Sequence, residues 1–496
     1  MSCGLKIALR ISGRECPRDT RGMRRIQGFV IIAILASKVI IRHEVGVPGL
    51  RKLLIPLFFL LPVSLFLPSC GSNASSSGNK TSGLHFRALL SNNVSAGSSS
   101  AGIYIVDAQN DTRQVGLTPI SAGSSPGMMV VTPNRAITLA FSGNNTQFAD
   151  NQIALISNPA EGNTGNLSLG GYTESFVVSP DSSAAYVAVP TAAVVGQSPG
   201  LIRVINLSAG VFTGEVDIPS VHYLSISNSG NRILAFSTVL SSLAPPCADP
   251  TPSFVFVVTP SEVGVQPCPV VPIPGFDHPV QAAFSSDDST AYIVNCGAEC
   301  GGTQASVQTL NLSTTPPTSG TAVSVPAATE ALVDGSTMYL AGTPYANGVP
   351  SQPCTGQRTA ATTCGLLTIF DLNKMAVVNP ANITITDGYH NRIAMGANGQ
   401  LFIGAKTCTE VFAPQPPPQG AEIRGCLSIY NTQNGAVVIP PANGDATGIQ
   451  PIATRTVVYV VQGGTLGIYD TTTDALQFIQ ITNIVGNFID VKTIDF

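Results

Sequence analysis

The chain has 496 residues, of which 44% are hydrophobic and only 10% are charged. Its 48 glycines and 37 prolines are too many for a mainly helical protein, so the composition favours short strands joined by many turns. From residue 70 onward, 13 Lys and Arg stand against 25 Asp and Glu, a formal charge of −12. This acidic balance argues against nucleic acid and anionic membrane surfaces as partners.

Residues 1–69 are predicted to be an N-terminal extension followed by a signal peptide. Arg51 and Lys52 precede an apolar run, Leu53–Leu67, that is interrupted by Pro56 and Pro62. A run of this length is too short for a transmembrane helix, which needs about 20 residues. A basic segment, an apolar run and a polar sequence in this order are typical of a secretory signal.

An earlier apolar run, Phe29–Ile41, carries Lys38 and has two interpretations. It is either a membrane anchor or signal in its own right, or part of an over-long gene start. A start near Val45 or Val47 leaves a signal peptide of ordinary length, and the sequence favours that interpretation.

The signal peptide ends in Leu67-Pro68-Ser69-Cys70, which resembles a bacterial lipobox. The resemblance implies that Cys70 is lipidated and becomes the mature N-terminus. The alternative is an unpaired thiol beside an ordinary cleavage site. Residues 70–83 are rich in Ser and Gly and are predicted to be a flexible tether. We therefore expect export and a lipid anchor in the membrane, at the outer membrane or cell surface.

From residue 84 to residue 496 one sequence pattern occurs seven times. It consists of an apolar strand, a turn, and a second strand with a large apolar or aromatic anchor residue. The anchors are Leu139, Tyr186, Leu234, Tyr292, Tyr339, Phe402 and Tyr459. Successive anchors are 47, 48, 58, 47, 63 and 57 residues apart. A period near this length is typical of a β-propeller blade, so the sequence predicts an all-β fold with a single propeller over 84–496.

The clearest repeat runs from Glu174 through the turn Ser179-Pro180-Asp181-Ser182 to Tyr186. Pro fixes φ in this turn, and Asp can bond its own backbone. The pattern resembles the YVTN-type β-propellers, which are similar to the lactonase-like propellers exemplified by 6-phosphogluconolactonase. No copy has the full Ser-Pro-Asp-Gly of that family, and no lactonase catalytic motif matches position by position. The resemblance therefore implies a fold, and only suggests an activity.

The two ends of the repeat region complement each other. Residues 85–90 lack a preceding inner strand, whereas 487–494 resemble an inner strand with no strands after it. Pairing of these N- and C-terminal strands would complete a blade and remove two sheet edges. Seven anchored repeats and this composite blade predict eight four-stranded blades, with seven as the alternative.

Eight cysteines follow Cys70, and they occur as four pairs whose members are close in sequence. They are Cys247, Cys268, Cys296, Cys300, Cys354, Cys364, Cys408 and Cys426. An even number in an exported chain predicts disulfides, although eight cysteines allow 105 pairings. Three couples fall in the longest repeats, so we expect them to close inserted loops. The rival is a metal site at Cys296-Gly-Ala-Glu-Cys300, but no His stands at metal-motif spacing, and no metal is expected.

Polar residues that begin the inner strands are the candidate ligand-binding residues. The leading ends of inner strands converge at one mouth of a propeller channel, so residues far apart in sequence meet there. The candidates are Glu174, His222, Glu330, His390 and Arg392. The alternative is that such side chains only satisfy solvent and backbone in a wet channel. No dinucleotide or phosphate-loop motif is present, and no cofactor is expected.

These features predict an exported β-propeller that acts as a binding or scaffold module at the bacterial cell envelope, with a protein or a small molecule as its ligand. An enzyme is the less favoured interpretation. If the protein is an enzyme, the resemblance implies a lactone hydrolase whose His and Glu act at the channel mouth.

Overall fold

The computed structural model describes residues 81–93, 101–113, 117–143, 150–245, 247, 249–355, 361–378, 383–411, 423–478 and 486–495. The predicted signal peptide, Cys70 and most of the tether lie outside the described residues. Helical structure within these ranges is limited to the 3₁₀ turns Pro260–Glu262, Gly297–Cys300 and Ala397–Gly399.

The first half of the strands, in chain order, is as follows: β1 (Arg87–Asn93), β2 (Gly102–Asp107), β3 (Thr112–Arg113), β4 (Pro126–Val131), β5 (Ile137–Ser142), β6 (Gln152–Ser157), β7 (Gly162–Ser168), β8 (Phe176–Val178), β9 (Ala184–Val189), β10 (Leu201–Asn206), β11 (Val211–Asp217), β12 (Val221–Ile226), β13 (Ile233–Leu243), β14 (Asp249–Val258), β15 (Val270–Ile273), β16 (Pro279–Phe284), β17 (Thr290–Asn295), β18 (Ser306–Asn311) and β19 (Thr318–Ser324). The second half is β20 (Glu330–Asp334), β21 (Thr337–Gly342), β22 (Tyr345–Ala346), β23 (Val349–Pro350), β24 (Gly365–Asp371), β25 (Ala376–Val377), β26 (Ile383–Ile385), β27 (Tyr389–Met395), β28 (Gln400–Lys406), β29 (Leu427–Asn431), β30 (Val437–Val438), β31 (Ala446–Pro451), β32 (Val457–Gln462), β33 (Thr465–Asp470), β34 (Ala475–Phe478) and β35 (Asn487–Thr493).

All of these strands except β22 and β23, which pair with each other in a separate hairpin, form eight antiparallel sheets, the blades of a β-propeller. Blades 1 to 4 are β4–β7, β8–β11, β12–β15 and β16–β19. Blade 5 is β20, β21 and β24 with β25 and β26 on its outer side, and blades 6 and 7 are β27–β30 and β31–β34. Blade 8 has the order β3-β2-β1-β35. The first strand of blades 1 to 7 is the innermost one, and β35 takes that place in blade 8.

Blade 8 confirms the predicted closure and decides for eight blades. Strand β35 pairs antiparallel with β1, with Ala88 opposite Thr493, Leu90 opposite Val491 and Asn93 opposite Asn487. The innermost and second strands of one blade thus come from opposite ends of the described chain. The ring closes through backbone hydrogen bonds, and β1 is paired along both of its edges.

One apolar cluster fills each of the eight interfaces between neighbouring blades. Because both faces of a blade are covered, the second strands are buried along nearly their whole length, as in β32. Outer strands such as β11 alternate exposed and covered residues instead. The fold therefore has a ring of small cores rather than one central core.

Each anchor residue packs in the interface with the blade that follows. Leu139 lies between blades 1 and 2, Tyr186 between blades 2 and 3, and Tyr459 between blades 7 and 8. Tyr292 is partly buried at its interface, and the other six anchors are buried. A large side chain recurs once per repeat because each interface needs one to fill it.

The predicted turns between first and second strands are present and stabilised locally. In blade 2, Ser179 Oγ donates to Asp181 Oδ1 at 2.6 Å, and the Ser183 N–H donates to the same oxygen at 3.0 Å. Ser182, where the related families have Gly, adopts a φ of 61°. A non-glycine residue is strained in this left-handed region, so the turn departs from the family pattern at a local cost.

Side chains of the inner strands bind the backbone of the next blade. Asp490 of blade 8 accepts the Met129 N–H of blade 1 at 2.9 Å. Ser175, at the start of blade 2, accepts the Leu224 N–H of blade 3 at 3.0 Å. Gln281 of blade 4 accepts the Ala331 N–H of blade 5 at 2.8 Å. These bonds fix the height of each inner strand against its neighbour.

All eight predicted cysteines form disulfides, and each bond joins the two members of a couple. The bonds are Cys247–Cys268, Cys296–Cys300, Cys354–Cys364 and Cys408–Cys426. The first closes the long β13–β14 hairpin onto the start of β15, and the last two close the insertions of blades 5 and 6. Four disulfides indicate an oxidising, exported environment.

Among the described residues, no helix has the length and apolar character needed to span a membrane.

Candidate functional site

The inner strands of blades 2, 3, 5 and 6 bring polar and aromatic side chains to one end of the channel. Glu174 lies two residues before β8, His222 is the second residue of β12, and Glu330 is the first residue of β20. His390 and Arg392 belong to β27. We call the end of the channel at which these strands begin the mouth.

Glu174 and His222 form a pair at the mouth. His222 Nδ1 lies 3.0 Å from Glu174 Oε2, and the Glu174 side chain is 50% exposed. The hydrogen bond to His222 lowers the pKa of Glu174 against the opposing effect of burial, and Lys406 lowers it further. The rings of Tyr172 and Tyr223 flank the imidazole at centroid distances of 6.2 and 6.0 Å. The sequence predicted both residues, and the structure brings them together.

Two tyrosines span the channel. The hydroxyl groups of Tyr223 and Tyr389 are 3.0 Å apart, although the residues are 166 positions apart in the chain. Tyr223 is in blade 3 and Tyr389 in blade 6, and these blades are not neighbours in the ring. Burial raises the pKa of both phenols, so both stay protonated and can donate hydrogen bonds.

Glu330 and Arg392 lie deeper, where they line a channel cavity of about 490 Å³. Arg392 Nε donates to the Thr447 carbonyl at 2.8 Å, and its Nη1 donates to the Asn391 carbonyl at 2.7 Å. Burial raises the pKa of Glu330 to about 7, although the charge of Arg392 and the Ala331 N–H oppose the shift. Within the described ranges, Glu330 makes no ion pair shorter than 4 Å.

His390 lies apart from the other four candidates. Its side chain is completely buried, and Nε2 lies 3.0 Å from the Thr386 carbonyl. Burial lowers its pKa to about 4, so the imidazole is neutral near pH 7. The strand register shifts between His390 and Arg392. His390 packs beside Gly365 of blade 5, while its neighbour Tyr389 faces the channel.

Glu299 is a mouth residue that sequence analysis did not find. It lies in the small ring closed by the Cys296–Cys300 disulfide, and its Oε2 accepts the Thr343 N–H at 2.8 Å. Burial raises its pKa to about 8. The two thiols that the metal hypothesis used are bonded to each other. Across the described part of the chain, no three His, Cys, Asp or Glu side chains converge as a metal site requires.

The fold and the mouth together define the class: an eight-bladed, disulfide-bonded β-propeller with a polar, tyrosine-lined channel mouth. No protein-family model matches the sequence, and no curated protein matches it. The predicted β-propeller fold is confirmed by the eight blades themselves. The solved structures that are similar to this chain include a β-propeller domain and two lactonase-like proteins.

Three solved structures illustrate these likenesses. A Bacteroides uniformis protein provisionally identified as a 6-phosphogluconolactonase is 13% identical, with 82% of this chain and 99% of that chain covered and a TM-score of 0.42. A similarly identified protein of Bacteroides fragilis is 10% identical, with 84% and 99% covered and a TM-score of 0.43. The dihydro-heme d1 dehydrogenase NirN is 12% identical, with 83% and 75% covered and a TM-score of 0.48. At these values the likeness concerns the fold and does not extend to a function.

Because the pKa of Glu299 is raised, we predict that replacing Glu299 by the neutral residue Gln increases the stability of the protein by an amount that depends on pH. A folded-state pKa near 8 against 4.5 unfolded means that the folded protein binds more protons between these values, so stability falls as pH rises through this window. Each unit is about 1.4 kcal/mol. Because solvent and relaxation offset part of this, we expect Glu299→Gln to raise the free energy of unfolding by about 1–3 kcal/mol at pH 8.5 and by less near pH 5.

Chemical unfolding of both proteins at the two pH values measures this difference. Glu215→Gln, on the exposed outer strand of blade 2, is the matched control and should show no comparable change. An equal effect of Glu299→Gln at both pH values would show that the carboxyl does not titrate as stated.

Proposed function

We propose that this protein is an exported binding module that holds a small polar molecule at the mouth of its propeller channel, and that a lipid on Cys70 tethers it to the bacterial cell envelope. The observation that carries the proposal is the Tyr223–Tyr389 contact with Glu174 and His222 beside it. These four side chains come from three different blades and are concentrated at one opening.

The chemistry of the mouth supports a binding role. Neutral phenols offer donors, Glu174 offers a charged acceptor, and aromatic rings offer flat apolar surface. Their positions follow from strands held at fixed heights in the ring. Preorganised side chains of this kind reduce the entropy lost when a ligand binds.

The Glu174–His222 pair also favours a second candidate, a lactone hydrolase. A carboxylate at Nδ1 orients an imidazole and leaves Nε2 available as a general base. Such an enzyme would turn over simple lactones. A binding module would retain its ligand unchanged.

Variants at the mouth distinguish these functions. We expect wild-type protein, produced as residues 84–496 in an oxidising compartment, to be stabilised thermally by members of a metabolite library. His222→Gln and Tyr389→Phe should each lower the affinity for the best ligand by about tenfold, because each removes a group that forms a hydrogen bond with the ligand. The exposed His85 supplies the control His85→Gln, which should bind as wild type does.

The same proteins should be assayed with simple lactones. Turnover that is lost in His222→Gln but kept in His85→Gln would establish the hydrolase instead. If both mouth variants bind every library member as tightly as wild type, the mouth is not the binding site.

The lipid anchor is tested with the full chain in a bacterial host. Wild type should incorporate an alkyne-tagged fatty acid and sediment with membranes, and Cys70→Ser should lose both properties because the thiol is the proposed attachment point. The double substitution Cys296→Ser and Cys300→Ser, which removes one disulfide, controls for the loss of cysteines elsewhere. Wild-type protein that carries no label would contradict the anchor.

A further inference from the structure

The channel cavity beneath the mouth contains two opposite charges that are not paired with each other. Arg392 of blade 6 and Glu330 of blade 5 both line the cavity of about 490 Å³. They interact electrostatically, yet no ion pair shorter than 4 Å joins them in the described part of the chain. The volume is within the range of about 300–1,000 Å³ typical of small-molecule sites.

Another charged group in the cavity already has its partners. Asp490 Oδ2 accepts the Met129 N–H at 2.9 Å, and Oδ1 accepts the Val491 N–H at 2.9 Å. Lys492 Nζ lies 3.3 Å from Asp490 Oδ1. The bond between Asp490 and Met129 holds blade 8 to blade 1, and the charges of Asp490 and Lys492 neutralise each other. Arg135 also lines the cavity and interacts electrostatically with Asp495, so Glu330 and Arg392 are the oppositely charged pair that can face a ligand.

Two polar atoms beside Arg392 lack hydrogen-bond partners. Asn391 Oδ1 and Thr447 Oγ1 are buried and make no hydrogen bond, although Arg392 binds the backbone carbonyls of both residues. A buried polar atom without a hydrogen-bond partner is destabilising. Asn391 and Glu330 both line the cavity, so they place two acceptors near one guanidinium, and a molecule that donates hydrogen bonds there would satisfy them.

The opposite wall of the cavity is apolar. Met128 and Val130 of blade 1 line it, and Ile393, which follows Arg392 in β27, adds apolar surface beside the charged side. Methionine side chains adapt to ligands of different shape. The wall suits an aliphatic group, whereas the charged side suits a carboxylate next to an ammonium group.

From this arrangement we infer that the cavity binds a zwitterionic α-amino acid. The carboxylate binds Arg392, the ammonium group donates to Glu330 and Asn391 Oδ1, and the side chain packs on Met128 and Ile393. This inference rests on the proposed binding function and names its ligand class. A carboxylate alone would leave Glu330 without a cation, and an amine alone would leave Arg392 without an anion.

Matched ligands test the inference. L-leucine, 4-methylpentanoate, which lacks the ammonium group, and 3-methylbutylamine, which lacks the carboxylate, share one aliphatic chain. Calorimetry is done above about pH 8, where Glu330 is ionised. We expect L-leucine to bind, and each singly charged analogue to bind at least about tenfold more weakly, the loss of one charged hydrogen bond.

Protein variants provide the second arm. Glu330→Gln and Arg392→Gln should each lower the affinity for L-leucine by about tenfold or more. Glu215→Gln and Arg203→Gln, an ion pair on the outer strands of blade 2, are the matched controls and should bind as wild type does. If Arg392→Gln unfolds, Glu330→Gln and the analogue series still decide.

The outcomes separate the inference from the proposed function. Equal affinity for L-leucine and 4-methylpentanoate would contradict the inference that the ligand is a zwitterion. L-leucine binding that is unaffected by Glu330→Gln would contradict it as well. If L-leucine does not bind but His222→Gln or Tyr389→Phe abolishes binding of another small molecule, the inference fails and the binding function stands. If no small molecule binds in either experiment, both fail.

Discussion

The antiparallel pairing of β1 with β35 is the constraint on which the rest of the structure depends. Seven blades are continuous in sequence, and the eighth joins strands from opposite ends of the described chain. Each blade buries its two faces only against its neighbours, so an open ring would expose two apolar faces at once. Asp490 strengthens the closure where β35 meets blade 1, and the Arg455–Asp111 ion pair joins blades 7 and 8 nearer the outside of the ring.

The closed ring also creates the candidate site. The inner strands belong to different blades, so residues more than a hundred positions apart share one channel, as Tyr223 and Tyr389 do. Side-chain bonds to the next blade fix each strand's height, and these heights place Glu174, His222 and the two phenols at one level. Below them, Glu330 and Arg392 face a cavity with an apolar wall. Recognition at the mouth and in the cavity therefore depends on the geometry of the ring.

Repetition explains why so much of the fold could be predicted from the sequence. Each repeat has one anchor residue because each interface between blades needs one large side chain. Seven anchors therefore indicate seven blades, and the strands at the two ends of the repeat region together form the eighth. Cysteines that are close in sequence were correctly expected to close local loops. The site was harder to predict because several inner strands, among them β12 and β27, have a register shift near their start. Position in the strand therefore does not show that His390 is buried while Tyr389 reaches the channel. Glu299 was missed because a disulfide-closed turn, rather than a strand, places it at the mouth.

Native-state hydrogen exchange followed by mass spectrometry tests the closure most directly. If pairing of β1 with β35 holds the ring, peptides from 87–93 and 487–493 should be protected as strongly as the inner strands of blades 2 to 6, and all should exchange together as denaturant is added. Early exchange of those two segments while the other blades stay protected would show that the ring is stable without its closure, and would contradict this account.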